Sequence, residues 1–284
     1  MTSPPTPSSP TPAITLERIL ARKRIEVAKA KVNTPISTLQ VVCAQQDPPR
    51  NFFSAVFDPA PVRRTTRIIA EIKRRSPSAG VIREDFDPVA IAKAYAEAGA
   101  AALSILTDEE HFGGHLGYIE QVKGAVHLPV LRKDFIVDEY QIWESRAANA
   151  DAVLLIAEAL NESELVDMMI LSRELGMTSL VEVHEVENLL RVKRHIGFPH
   201  AGYSLLGINN RNLRTMQTDL THTFRLAEMV DDKRVVVSES GIRSAGDLRK
   251  LRQNGEGVSI VLVGEHLLRQ KDPGAALKAL METS

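Results

Sequence analysis

Cysteine is nearly absent: Cys43 is the only one in 284 residues. That excludes an internal disulfide framework and any cysteine-built zinc site, and it fits a reducing compartment, with Cys43 itself a small apolar filler. A surplus of either charge is missing too. Lys and Arg total 35 against 36 Asp and Glu, a formal net charge of −1. No basic excess points to nucleic acid, and no charge block points to a membrane surface. No apolar run approaches the roughly 20 residues of a membrane helix, and the start does not read as a signal peptide, so the expected setting is the cytoplasm. No segment repeats at a fixed period, and no Gly-x-Gly-x-x-Gly turn follows the first strand-like run.

What remains is an ordinary globular composition, 44% hydrophobic and 25% charged, in a length that suits two small domains or one α/β barrel. Residues 1–13, mostly Pro, Ser and Thr, bury nothing and are expected to be a disordered tail. From Thr15, placed as an N-cap, Leu16, Ile19, Leu20, Lys23, Val27 and Ala30 recur at three and four, predicting a helix that ends before Pro35. Shorter helical patches follow at Ile36 to Ala44 and Phe52 to Phe57. Residues 14–66 are expected to be a helical extension of a single domain, 14–284, with no room beyond it for a fused second barrel and hence a single activity.

A rhythm of short apolar runs then sets in: Ile68 to Lys73, Ala101 to Leu106, Val130 to Asp134, Ala152 to Ile156, Ser179 to Val183, Leu205 to Asn209, Val235 to Glu239 and Ser259 to Gly264. Between them, helical spacing marks Pro88 to Ala98, Glu139 to Ala148, Glu162 to Leu175, Val186 to Ile196, Thr221 to Met229, Ser244 to Gln253 and Pro273 to Met281. Pro88 suits a helix first turn, and Gly99 and Gly176 sit where helices end. Eight near-continuously apolar strands alternating with helices predict an α/β fold, a closed (β/α)8 TIM barrel with an N-terminal helical extension. An open doubly wound sheet is the alternative.

In such a barrel the working face lies at the carboxyl ends of the strands. Lys73, with Glu71 beneath it, ends the first, where Pro77 stops the ladder and Ser76 and Ser78 supply hydroxyls. Lys133 ends the third, Glu182 the fifth, Asn209 the sixth and Glu239 the seventh. Alternate strands build each layer, which puts Lys73, Lys133, Glu182 and Glu239 on one level. Burying four charges costs several kcal/mol unless they pair, so stability is a poor reason for them and a reactive site a better one. Glu182, alone among Leu180, Val181 and Val183, is expected to have its pKa raised. A second signal is glycine just after strands seven and eight, in Ser240-Gly241 and Gly264-Glu265. There backbone N–H groups and the short helix from Glu265 favour a phosphate, with Ser76 nearby.

Taken together, Glu71-Ile72-Lys73-Arg74-Arg75-Ser76-Pro77-Ser78, Leu131-Arg132-Lys133-Asp134-Phe135, Leu180-Val181-Glu182-Val183, Ile208-Asn209-Asn210-Arg211-Asn212-Leu213 and Ser238-Glu239-Ser240-Gly241-Ile242 resemble the indole-3-glycerol phosphate synthase family, from about Thr15 to the C-terminus. The resemblance implies a carboxy-lyase of tryptophan biosynthesis. It would convert 1-(2-carboxyphenylamino)-1-deoxyribulose 5-phosphate to indole-3-glycerol phosphate without metal or organic cofactor. Its partner would be that small phosphorylated substrate, not nucleic acid or membrane. In this light Lys133 becomes the candidate general acid and Glu182 the base or stabiliser of a cationic intermediate. Lys73 would hold the substrate carboxylate, Glu71 orient the lysines and Asn209 bond a hydroxyl. Arg211 and Glu239 would be supports, and Ser240, Gly241, Gly264, Glu265 and Ser76 would lie near the phosphate. The chain departs from the family pattern at His115, expected to be an exposed loop residue, and at Glu265 and His266, where a small hydroxyl is usual. The Glu265 side chain is therefore expected to point away. Another phosphate-binding barrel, of the phosphoribosylanthranilate isomerase class, and a non-catalytic binding barrel are the alternatives. The paired strand-end lysines count against the former.

Overall fold

The computed structural model describes residues 15–59, 66–197, 200–212, 217–254 and 257–282. The tail expected at 1–13 lies outside them, as does Leu213. Eight parallel strands form a closed ring in chain order: β1 (Arg67–Ile72), β2 (Ala102–Leu106), β3 (Val130–Lys133), β4 (Ala152–Ile156), β5 (Thr178–Val183), β6 (Ser204–Asn209), β7 (Val236–Glu239) and β8 (Ile260–Val263). Each pairs with its neighbours, and the ring closes where β1 lies against β8, Arg67 opposite Ile260 through Ala70 opposite Val263. Closure removes both sheet edges and rules out the open doubly wound alternative.

Burial explains why the strands read as apolar runs. Every residue of β2, β4, β5, β7 and β8 is buried, as strands covered on both faces must be. Helices return the chain between strands, and their ends follow local chemistry. The Asp87 carboxylate accepts the N–H groups of Val89 and Ala90 ahead of Pro88–Glu97, with Pro88 in the first turn; Asn161 and Glu164 form a reciprocal capping box at Glu162–Glu174. Gly99 and Gly176, at φ +93° and +76°, turn the chain out of two helices. The stretch expected to be helical from Val186 is α-helix only to Val192 and continues as one 3-10 turn, Lys193–His195.

Two further elements complete the barrel. The helix Tyr118–Ala125 fills the β2–β3 crossover, and a small antiparallel ladder, Arg75–Ser76 with Gly80–Val81, folds the segment after β1 over the barrel mouth.

The extension, helices Leu16–Asn33, Ile36–Gln45 and Phe52–Val56, is fastened at both ends of the barrel. At the carboxyl ends of the strands the buried Lys23 ammonium lies 3.0 Å from Asp108, 3.0 Å from Asp134 and 2.9 Å from Glu26. At the opposite end the Arg50 guanidinium donates to the carbonyls of Val126, Leu128 and Lys123, and its backbone N–H donates to Asp151 at 2.7 Å. Between these points Val27 and Leu39 pack on Tyr140 and Trp143, whose helix faces the extension. Half-buried Cys43 sits there, its Sγ against the Trp143 carbonyl, while Met168 and Met169 are core.

Candidate active site

All twelve candidate residues, Glu71, Lys73, Ser76, Lys133, Glu182, Asn209, Arg211, Glu239, Ser240, Gly241, Gly264 and Glu265, line one cavity of about 390 Å³ at the carboxyl ends of the strands. Its centre is Lys133. The ammonium donates to Glu182 Oε2 at 3.0 Å and to Glu239 Oε2 at 2.7 Å, joining strands β3, β5 and β7. Lys73 does not complete that ring as its level predicts. It reaches back along its own strand to Glu71, Nζ to Oε1 at 2.5 Å, because Glu71 is two residues away on the same face of an extended chain.

Two glycines make room for these carboxylates. A Cβ on Gly207 would lie 2.2 Å from Glu239 Oε1, and one on Gly264 would lie 2.3 Å from Glu71 Oε1. Gly264 has φ −132°, so what its missing side chain provides is clearance for Glu71. Ser240 and Gly241 do turn left-handed, at φ +67° and +84°. For serine such a conformation costs about 1–3 kcal/mol and is held by its surroundings. Asn210 is the holder: its side-chain N–H donates to Ser238 and to the carbonyls of Glu239 and Ser240, while its oxygen accepts from Thr223.

The charges divide protons unequally. Burial alone would lower the pKa of Lys133, but Glu182, Glu239 and Glu71 drive it far above the ordinary lysine value. Burial would raise Glu182; instead Lys133 and His184 pull it below the ordinary carboxylate range. This corrects the raised value expected from its apolar chain neighbours, since strand partners and not sequence neighbours surround the carboxylate. Glu239 takes the opposite course: burial outweighs the help from Lys133, Glu182 repels a second negative charge, and its pKa rises. Its Oε1 is buried without a hydrogen-bond partner.

At the mouth, Arg211 donates to Ser78 at 2.9 Å and to Glu265 Oε2 at 3.2 Å, and its backbone N–H donates to Asn209 Oδ1 at 3.0 Å. Glu265 therefore does not point away. It is held by Arg211 on one oxygen and by Arg269, one turn later, on the other at 2.9 Å. His115 is an exposed loop residue. Among the ionisable cavity-lining residues, sequence reasoning passes over His184, Arg243 and Arg269. Only His184 carries a signal, standing two residues after Glu182 on the same face of the extended chain. An apolar side is completed by Leu16 and Ile19 of the extension with Phe112 and Phe135.

Comparison with known proteins follows the same lines. A family model described as indole-3-glycerol phosphate synthase matches residues 16–280. Proteins of that name are 48% identical to this chain in Rhodopirellula baltica, covering 94% of this chain and 98% of that one, and 43% identical in Chromobacterium violaceum, covering 93% and 97%. Among solved structures, KGPDC from Streptococcus mutans shares the fold with a TM-score of 0.56 at 12% identity, over 77% of this chain and 97% of that one. With the barrel, the cavity and matches along nearly its whole length, the chain belongs to the indole-3-glycerol phosphate synthase family.

Proposed function

We propose that the cavity performs the ring-closing decarboxylation and dehydration of 1-(2-carboxyphenylamino)-1-deoxyribulose 5-phosphate to indole-3-glycerol phosphate, and that the residues above divide the work. The observation that carries this division is the Lys133 ammonium held between the Glu182 and Glu239 carboxylates, at 3.0 Å and 2.7 Å. A cation held in its charged form can protonate the substrate carbonyl as the aromatic carbon attacks it. Carbon dioxide leaves, the new hydroxyl departs as water after taking a second proton, and the carbon next to nitrogen gives one proton to a base. Two protons are delivered and one returned. Glu182, kept ionised, suits the base, and Glu239, which retains its proton more readily, stands beside Lys133 to replenish it.

Binding follows the remaining charges. Lys73 faces the substrate carboxylate, Asn209 a hydroxyl, and Ser240, Gly241, Ser76 and Arg211 the phosphate, while the apolar side with Phe112 and Phe135 receives the aromatic ring. Residues 14–284 then form one catalytic unit including the extension. A cytoplasmic setting suits it: the chain has one cysteine, and among the described residues no helix is long and apolar enough to cross a membrane.

The test is indole fluorescence on adding the substrate to purified protein, with Lys133→Ala and Glu182→Ala alongside. Fluorescence should grow with the wild type and slow by about 10²–10⁴-fold in each folded variant. A wild type that is stabilised by the substrate but does not turn it over would overturn the assignment.

A further inference from the structure

The roles above leave one buried titratable group at the centre unused. His184 follows β5 and is only 7% exposed. Its backbone N–H donates to Glu158 Oε1 at 2.8 Å, and its Nδ1 lies 3.3 Å from Glu158 Oε2, so one carboxylate grips both main chain and ring. Glu158 belongs to the 3-10 turn Ala157–Ala159 after β4, whose backbone is pinned by Arg191 at the carbonyls of Ala157 and Leu160. From the other side His222 bonds the His184 carbonyl at 2.7 Å. The ring's free nitrogen, Nε2, has no hydrogen-bond partner and lies 3.5 Å from Glu182 Oε1, the carboxylate oxygen that Lys133 does not hold.

A neutral imidazole that donates from Nδ1 to Glu158 would present a lone pair to a carboxylate oxygen, which is repulsive. The arrangement is satisfied when the ring carries both protons. Glu158, Glu182 and Glu239 all favour that charge against the cost of burial, and the pKa of His184 is raised. Building on the function proposed above, we infer that His184 is a positioning residue for the reaction: clamped by Glu158, its imidazolium fixes Glu182 Oε1, keeping that carboxylate ionised and its second oxygen turned to Lys133. Glu158, His184, Glu182 and Lys133 thus form one line of alternating charge from the β4 turn to the reacting end of β3.

Removing the ring's charge should act through Glu182. In His184→Leu, kcat should fall by about tenfold or more with KM changed by less than about twofold, and the acid limb of the kcat–pH profile should move to higher pH, because Glu182 loses a cation. His184→Gln, which restores a donor without charge, should recover part of kcat but not the position of the limb. Glu158→Gln should move the limb the same way by less, and the double variant Glu158→Gln/His184→Leu should match His184→Leu alone. In the wild type without substrate, ¹⁵N resonances of the His184 ring should show the imidazolium persisting to pH values above the reference pKa of about 6.5. Loss of kcat equal at every pH, additive variants, or a neutral ring at pH 7 would each overturn the inference. Should His184→Leu not fold, Glu158→Gln and the ring titration decide it. Absence of wild-type turnover would instead reject the reaction assigned above, since the ring titration is read without substrate.

Discussion

Gly207 and Gly264 show how a carboxylate is aimed by what is missing beside it. Gly207 lies on the strand beside that of Glu239 and Gly264 just past the strand beside that of Glu71, and each leaves a gap that the acid occupies, 2.2 Å and 2.3 Å from where a Cβ would stand. In Gly207→Ala the obstacle is the end of the Glu239 side chain, which can swing only by leaving Lys133. Stability should drop by about 1–3 kcal/mol, read by urea unfolding, and kcat should fall at least tenfold. Unchanged kcat would show that Glu239 need not touch Lys133. At this scale the sequence discloses which residues gather but not how they pair. Alternation of faces brings Lys133, Glu182 and Glu239 to one end of the barrel and sets Lys73 beside Glu71 on one strand, yet the lowered pKa of Glu182 arises from distances across strands. His184 shows the same limit, since its partner Glu158 is 26 residues away.

The first helix is the element whose position is set by charge as well as by apolar packing. Lys23 is one of its few buried residues and places its ammonium between Asp108 after β2 and Asp134 after β3; Asp134 also accepts from Thr107 and Arg132. In Lys23→Met the apolar stem remains but two buried carboxylates lose a counter-ion, a change that costs about 3–5 kcal/mol. Equilibrium unfolding should show that loss. KM should also rise, because Leu16 and Ile19 on the same helix line the cavity; a stable variant with unaltered KM would refute this coupling. Elements with a strong period, such as the helix from Leu16 and the eight strands, are legible in the sequence. The Arg75–Ser76 and Gly80–Val81 ladder is not, because strands of two residues have no period to read, and the Tyr118–Ala125 helix is only two turns long.

For the molecule as a whole, the shifted groups define a stability profile. Asp134 is drawn down to about 2 by Arg132 and Lys23 in spite of burial, and Glu182 is lowered as well. A depressed carboxylate stabilises the fold above its unfolded pKa of about 4 and loses that contribution as pH falls. His184 and Glu239 are raised. The former contributes in full below about 6.5, the latter below about 4.5, and both contributions fade as pH climbs through the folded values. Melting temperature should therefore peak near about pH 5 and decline on either side, with Glu239→Gln flattening the upper slope. A maximum at pH 8 in the wild type would contradict the proton assignments.

The ring also fixes an order of events during synthesis. β1 meets β2 soon after both leave the ribosome, but its other edge, Arg67 to Ala70, has no partner until Ile260–Val263 has been made. For most of translation the nascent chain therefore carries one unfilled row of strand hydrogen bonds flanked by Ile68 and Ile69, the kind of edge that recruits chaperones or other chains. Pauses between the codons for residues 106 and 260 lengthen that interval, and the eighth strand ends it.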